Sequence, residues 1–266
     1  MMLRACLTML LVLLTLSSAG AQISRNELAG VGIADRRGAV LPDVTLHRRG
    51  TLGERGFRDT LAGRPALLLL VDYTCASLCG VTLDALSHAL SGTKLRIKID
   101  YNVLVVGFDP NDGLRQVEAF RDRHLAPSVL VSEFEFLRGS REAIELLASS
   151  VGFSSKYDEL RDQFAHPAAV IVTTSNGRIS RTLDPLALNP LDLRLALTEA
   201  GQGRIGTLAD RVALLCYGWD AATGIYTLQI RRILMLSGIA TALLLIGGIA
   251  ALHYREWLAI RRARRG

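Results

Sequence analysis

Cysteine is scarce in this chain: four residues among 266. Disulfide frameworks in oxidising compartments use an even number of cysteines spread along a small domain. Cys6 falls inside an N-terminal leader, which leaves Cys75, Cys79 and Cys216, two of them four positions apart and the third far away. That pattern excludes a stapled scaffold, and the close pair reads as a site. Internal repeats and low-complexity tracts are also missing, so a repeat architecture is excluded. Positive charge is missing where a polyanion would need it. The net charge is +6, but Arg4, Arg231, Arg232 and the tail (Arg255, Arg261, Arg262, Arg264 and Arg265 against Glu256) account for seven charges. The remaining soluble part is about −1, so no nucleic-acid surface is expected.

Long apolar runs are confined to the two ends. MMLRACLTMLLVLLTLSSAGAQ has one Arg, an apolar run from Ala5 to Leu16, and small residues ending in Ala19-Gly20-Ala21. The run is shorter than the roughly 20 residues that span a bilayer. It therefore predicts a signal peptide over residues 1–21, with the mature chain starting near Gln22. The second run, ILMLSGIATALLLIGGIAAL over residues 233–252, is uncharged and long enough to cross the hydrocarbon core. Arginines crowd its C-terminal side, and the positive-inside bias then puts the tail, residues 254–266, in the cytoplasm. A single-pass protein of the inner (plasma) membrane is expected, anchored in the lipid bilayer by a transmembrane helix over 231–253. Its globular domain would sit on the periplasmic side.

Between the two ends lie about 200 residues, enough for one well-cored domain. Residues 22–51 read as a loop entering the fold at an edge. Ala66 to Asp72 (ALLLLVD) is apolar and short enough to be a strand buried on both faces. The loop Tyr73-Thr74-Cys75-Ala76-Ser77-Leu78-Cys79-Gly80 follows, and then a helical pattern from Val81 to Leu90. Tyr101 to Gly107 predicts a second buried strand ending in Phe108-Asp109-Pro110, with a helix over Leu114 to His124. Ser140 to Ser150 is amphipathic, and Ser175-Asn176-Gly177 predicts a hairpin between Ala168–Thr174 and Arg178–Leu183. Asn189-Pro190 caps a helix that Gly201 ends. This order predicts an α/β, thioredoxin-like domain over residues 22–203: a central mixed sheet flanked by helices. Residues 204–230 form a juxtamembrane segment, in which Thr207 with Asp210 predicts a capped helix and Asp220 to Gly224 a turn.

Cys-x3-Cys places two sulfurs at i and i+4. With the second Cys in the first helical turn, both thiols can face one pocket at the C-terminal end of the first buried strand, where open α/β sheets bind ligands. A helix N-terminus there lowers thiol pKa values, and thiolates both bind metals and attack disulfides. His166, in Phe164-Ala165-His166-Pro167, precedes a strand that the topology brings beside the Cys loop. Two thiolates and an imidazole suit Cu(I), and Cu(II) with an extra ligand; the same set also occurs with catalytic zinc. His47, His88, His124 and His253 read as surface or satisfied polar residues, and Cys216 as a small buried one.

The succession of buried strand, Cys-x3-Cys, strand ending in Asp-Pro, His before the penultimate strand and Asn-Gly hairpin resembles the Sco/SenC family of cytochrome oxidase assembly factors. The likeness extends roughly from Gly38 to Gly201. It implies copper ligation by Cys75, Cys79 and His166, with Asp109 near the site. It also implies a chaperone role toward the cytochrome c oxidase subunit that carries the copper site. Two features depart from the family pattern. Ala76 and Gly80 stand where the family commonly has Pro, and the anchor lies at the C-terminal rather than the N-terminal end. A second function fits the same cysteines: a thiol–disulfide oxidoreductase that keeps copper-site cysteines reduced, with Cys75 and Cys79 as the redox pair. Of the two, metallochaperone is the expectation, rather than enzyme.

Overall fold

The structure is a computed structural model that describes residues 29–48, 53–75, 78–125, 129–159, 162–202, 204, 206–220, 225–228 and 230–263. The expected signal peptide lies outside these residues, as do Ala76 and most of the expected turn at Asp220–Gly224.

After the two-residue strand β1 (Gly32–Ile33) come β2 (Thr45–Arg48), β3 (Glu54–Gly56) and the short helix α1 (Phe57–Leu61). The centre of the fold is β4 (Ala66–Val71), α2 (Leu78–Ser91), β5 (Asn102–Gly107), α3 (Leu114–Leu125) and β6 (Glu135–Gly139). β4 and β5 are buried at every position, because helices cover both faces of a parallel pair and leave no face needing polar residues. They pair in parallel from Ala66 opposite Asn102 to Val71 opposite Gly107. α4 (Arg141–Ser150), whose N-cap Ser140 accepts the Ala143 N–H, and the two-residue β7 (Phe153–Ser154) follow.

The chain clusters into two compact units. The smaller includes Ser154–Pro167, where β8 (Lys156–Asp158) pairs antiparallel with β9 (Gln163–Ala165) and Tyr157 packs on its cross-strand partner Phe164, ring centroids 5.0 Å apart. The larger, Ile33–Phe153 with Ala168–Gly266, resumes with β10 (Val170–Thr173) and β11 (Ile179–Leu183). It continues through α5 (Pro190–Ala200), α6 (Leu208–Cys216), β12 (Tyr217–Asp220), β13 (Ile225–Leu228) and α7 (Ile230–Ala263).

The main sheet has seven strands in the order β11-β10-β4-β5-β6-β2-β3. β4, β5 and β6 are parallel, and β10, β11, β2 and β3 each run antiparallel to their inner neighbour. One face carries Leu67, Leu69, Val71, Val103, Val105, Val170 and Val172 into a core shared with Leu83 and Leu86 of α2, Phe120 of α3 and Leu193 and Leu197 of α5. This is the mixed sheet flanked by helices of a thioredoxin-like domain. Part of the stretch read as an entry loop is instead β2, an added strand between β6 and β3. The pairing is long-range, Leu46 opposite Gly139, and only the fold makes it possible.

Local capping signals are realised as well. Thr207 and Asp210 form a reciprocal capping box, and Asn189 caps α5 with Pro190 in its first turn. After α6 the chain makes an antiparallel pair, Trp219 opposite Tyr226, which the sequence reading did not foresee as strands. Ala213, Leu214 and Tyr217 pack against the core, so this segment belongs to the domain surface. In α7 the stretch Leu234–Arg255 is long and apolar enough to cross a membrane, and none of it is buried inside the protein.

Candidate metal centre

β4 delivers the chain to the site, and α2 carries it away. Between them Asp72, almost fully buried, bends the backbone. Its Oδ1 accepts the Thr74 N–H at 2.7 Å and the Thr74 hydroxyl at 2.6 Å, and its carbonyl accepts the Cys75 N–H at 3.1 Å. Tyr73 anchors the loop from below. Its hydroxyl lies 2.8 Å from the Val105 carbonyl and 2.9 Å from the Leu137 carbonyl, and accepts the Leu137 N–H at 3.2 Å, bridging β5 and β6. Burial pushes the Tyr73 phenol well above its ordinary range, so it stays neutral.

Cys75 and Cys79 are both buried, at 9% and 2% exposure. The Cys79 thiol is pushed far above the ordinary thiol value, first by its hydrogen bond with Cys75, then by burial. For Cys79 without a metal this runs against the expectation that the helix terminus favours the thiolate. Hydrogen-bonded to its neighbour in an apolar setting, the Cys79 thiol holds its proton until a cation replaces it.

His166 follows β9, and its Nδ1 lies 3.0 Å from the Pro167 carbonyl. A proton on Nδ1 satisfies that carbonyl and puts the lone pair on Nε2, the tautomer of a metal ligand. The sulfurs of Cys75 and Cys79 and a ring nitrogen of His166 all lie within 4.8 Å of one another, a group that can hold a metal ion. Two thiolates bound at about 2.3 Å sit at most about 4.6 Å apart, so small side-chain rotations close the set on an ion. Two sulfurs and one imidazole are a soft donor set that fits copper.

Asp109 stands at the turn after β5, where its Oδ1 accepts the Asn111 N–H at 2.9 Å and its carbonyl the Asp112 N–H at 3.1 Å. That is the capping geometry an Asp-Pro turn supplies locally. The carboxylate bonded to the Cys loop belongs to Asp112, a residue the sequence reading passed over, whose Oδ2 accepts the Tyr73 N–H at 3.1 Å. A second acid within three residues of Asp-Pro was the available signal. Burial raises Asp112 from 3.8 to about 7; the Tyr73 N–H opposes this, and the Asp72 and Asp109 carboxylates add to it. Among the other histidines, His47 lies 3.9 Å from Glu54, His88 is in the last turn of α2 and His253 is on α7. His124 packs at a tilt on Phe120, with centroids 4.7 Å apart. Cys216 ends α6.

A family model described as SCO1/SenC matches residues 50–198, more than half of the chain. The chain belongs to the SCO1/SenC family. The matched span of this SCO1/SenC chain runs from β3 through most of α5, and α6, the β12–β13 pair and α7 lie beyond it. Solved structures agree on the fold. Arabidopsis thaliana ScoI with copper bound has TM-score 0.51 and 17% identity, covering 62% of this chain and 99% of its own. A SCO1/SenC family lipoprotein from Bacillus anthracis str. Ames has TM-score 0.52 and 16% identity, covering 63% and 96%. BsSco, a member of the Sco family of cytochrome c oxidase assembly proteins in which a disulfide switch is identified, has TM-score 0.51 and 18% identity, covering 64% and 98%. No curated protein matches the chain.

Proposed function

We propose that this protein is a membrane-anchored, extracytoplasmic copper chaperone for the copper centre of cytochrome c oxidase. Cys75, Cys79 and His166 are its ligands, and Asp109 is an acidic neighbour of the site. The observation that carries the reading is the convergence of two buried sulfurs and one imidazole within 4.8 Å on a fold of the SCO1/SenC family. Burial excludes competing water, and thiolates select a soft cation. The anchor is α7, whose exposed apolar stretch supports a single crossing; the arginine-rich tail supports a cytoplasmic C-terminus, which leaves the domain in the periplasm.

Copper stoichiometry of the full chain in detergent tests this reading. About one copper per chain is expected, lost in Cys75→Ser and in Cys79→Ser. His166→Ala should weaken Cu(II) binding far more than Cu(I), because the two thiolates alone retain the softer ion. Undiminished binding in both Cys variants would sink the site. Full support of oxidase assembly by His166→Ala would transfer the role to the second reading, a thiol–disulfide oxidoreductase. The hydrogen bond between the two thiols favours that reading, since it holds the sulfurs together without metal.

A further inference from the structure

Gly80 is the third residue of α2 and directly follows Cys79. A glycine inside a helix weakens it relative to alanine, so its presence asks for a reason. Backbone conformation is not the reason, because Gly80 does not adopt the left-handed region that favours glycine. Space is. A Cβ at Gly80 would collide with Cε1 of His124 and lie a tight 3.2 Å from each of its ring nitrogens, so the ring would have to shift. The imidazole thus lies edge-on against the backbone of the turn that carries Cys79. The ring also packs at a tilt on Phe120, a fully buried member of the core, with centroids 4.7 Å apart, which limits where it can move. The neighbouring Arg123 donates to the Tyr73 carbonyl at 3.3 Å, so the last turn of α3 grips the Cys loop at two points.

We propose that His124 is a positioning residue for the metal centre: its ring, seated in the space that Gly80 leaves open, fixes the first turn of α2 and with it the Cys79 sulfur. A ligand held in place before the ion arrives loses less freedom on binding. This inference rests on the copper-binding reading only for its metal readouts. The geometry of the turn is read without metal.

The test uses the full chain in detergent as wild type, Gly80→Ala, His124→Ala and the double variant. Without metal, amide hydrogen exchange over residues 79–82 should be faster in both single variants, since one displaces the ring and the other removes it. With copper, each single variant should lose about tenfold to a hundredfold in Cu(II) affinity, as residues that orient ligands commonly do, and shift the thiolate-to-Cu(II) absorption band. In the double variant the added methyl occupies space vacated by the imidazole, so its loss should not exceed that of the worse single variant. The number of nitrogen donors to Cu(II), read by pulsed electron spin resonance, should be the same in His124→Ala as in wild type. Unchanged exchange in Gly80→Ala overturns the proposal, as do losses that simply add in the double variant. A nitrogen missing in His124→Ala makes the residue a ligand and overturns it equally. If the wild type binds no copper, the copper reading fails and the exchange measurements alone decide the role of His124.

Discussion

Oδ2 of Asp112 accepts the backbone N–H of Tyr73 at 3.1 Å, tying the turn after β5 to the loop that carries the cysteines. Both partners are buried, and the acid is held up at about 7 by that burial. A carboxyl whose folded pKa is raised binds its proton more tightly in the native state. It therefore supports stability below its unfolded value near 3.8 and withdraws that support as pH climbs to about 7. Asp112→Asn keeps the acceptor oxygen and cannot ionise, so the variant should show a flatter stability profile between these limits in urea titrations. Asp112→Ala orphans the Tyr73 N–H and should cost about 1–3 kcal/mol at any pH. A profile in Asp112→Asn as steep as the wild type's would show that another group governs this range.

Arg194 and Asp210 behave in the opposite sense. The guanidinium of Arg194 meets both carboxylate oxygens at 2.7 Å, and its Nη1 donates to the Thr93 carbonyl at 2.8 Å, joining α5, α6 and the turn that follows α2. The Arg194 hydrogen bonds hold the Asp210 carboxyl far below the usual carboxylate range. Its contribution is present above the unfolded value near 3.8 and is lost only as the solution becomes strongly acidic. Asp210→Asn should destabilise the domain at neutral pH by about 1.5–3 kcal/mol, the range for hydrogen bonds to charged groups. The difference from wild type should shrink at the lowest pH where unfolding is reversible. A difference independent of pH would assign the loss to helix capping alone.

Gly107, the last residue of β5, lies against the ring of Tyr73. A Cβ there would come within 2.5 Å of Cε2 and 2.7 Å of Cδ2. The ring is pinned by its hydroxyl and cannot rotate away, so Gly107→Ala should cost about 1–3 kcal/mol by overpacking. Because Tyr73 is two residues from Cys75, copper affinity should fall with it. Thermal unfolding and copper competition measure the two effects. A stable variant with wild-type affinity would show that the loop relaxes freely.

Topology follows from charge and can be checked in cells. A reporter active only outside the cytoplasm should work when fused after Ile230 and be silent when fused after Gly266. The reverse pattern would overturn both the anchor and the compartment.

What the sequence determined is what short stretches of chain decide by themselves. ALLLLV is too short for a core helix and too apolar for a surface strand, so β4 was legible, and with it the Cys-x3-Cys loop and the start of α2. The same holds for the Asn189 cap, the Thr207–Asp210 capping box and the apolar stretch of α7, since caps and hydrophobic length act within a few turns. The candidate ligands were legible because thiol and imidazole chemistry narrows the choice to a few residues.

Tertiary structure decided everything that rests on distant partners. TLHR has no strand signal of its own, and it becomes β2 because β6, some ninety residues on, offers an open edge. The sequence singles out Asp109 through its Asp-Pro turn, yet it is Asp112 that reaches the Tyr73 N–H, because the turn aims one carboxylate inward and engages the other with its own backbone. In sequence Gly80 is only a departure from a family pattern; in the fold the ring of His124, over forty positions away, occupies the space it leaves. The protonation of Cys79 was decided there too: a helix terminus argues for a thiolate, but the hydrogen bond with Cys75 and burial outweigh it. Local propensity and composition are written residue by residue. Desolvation and close approach exist only once remote segments have met.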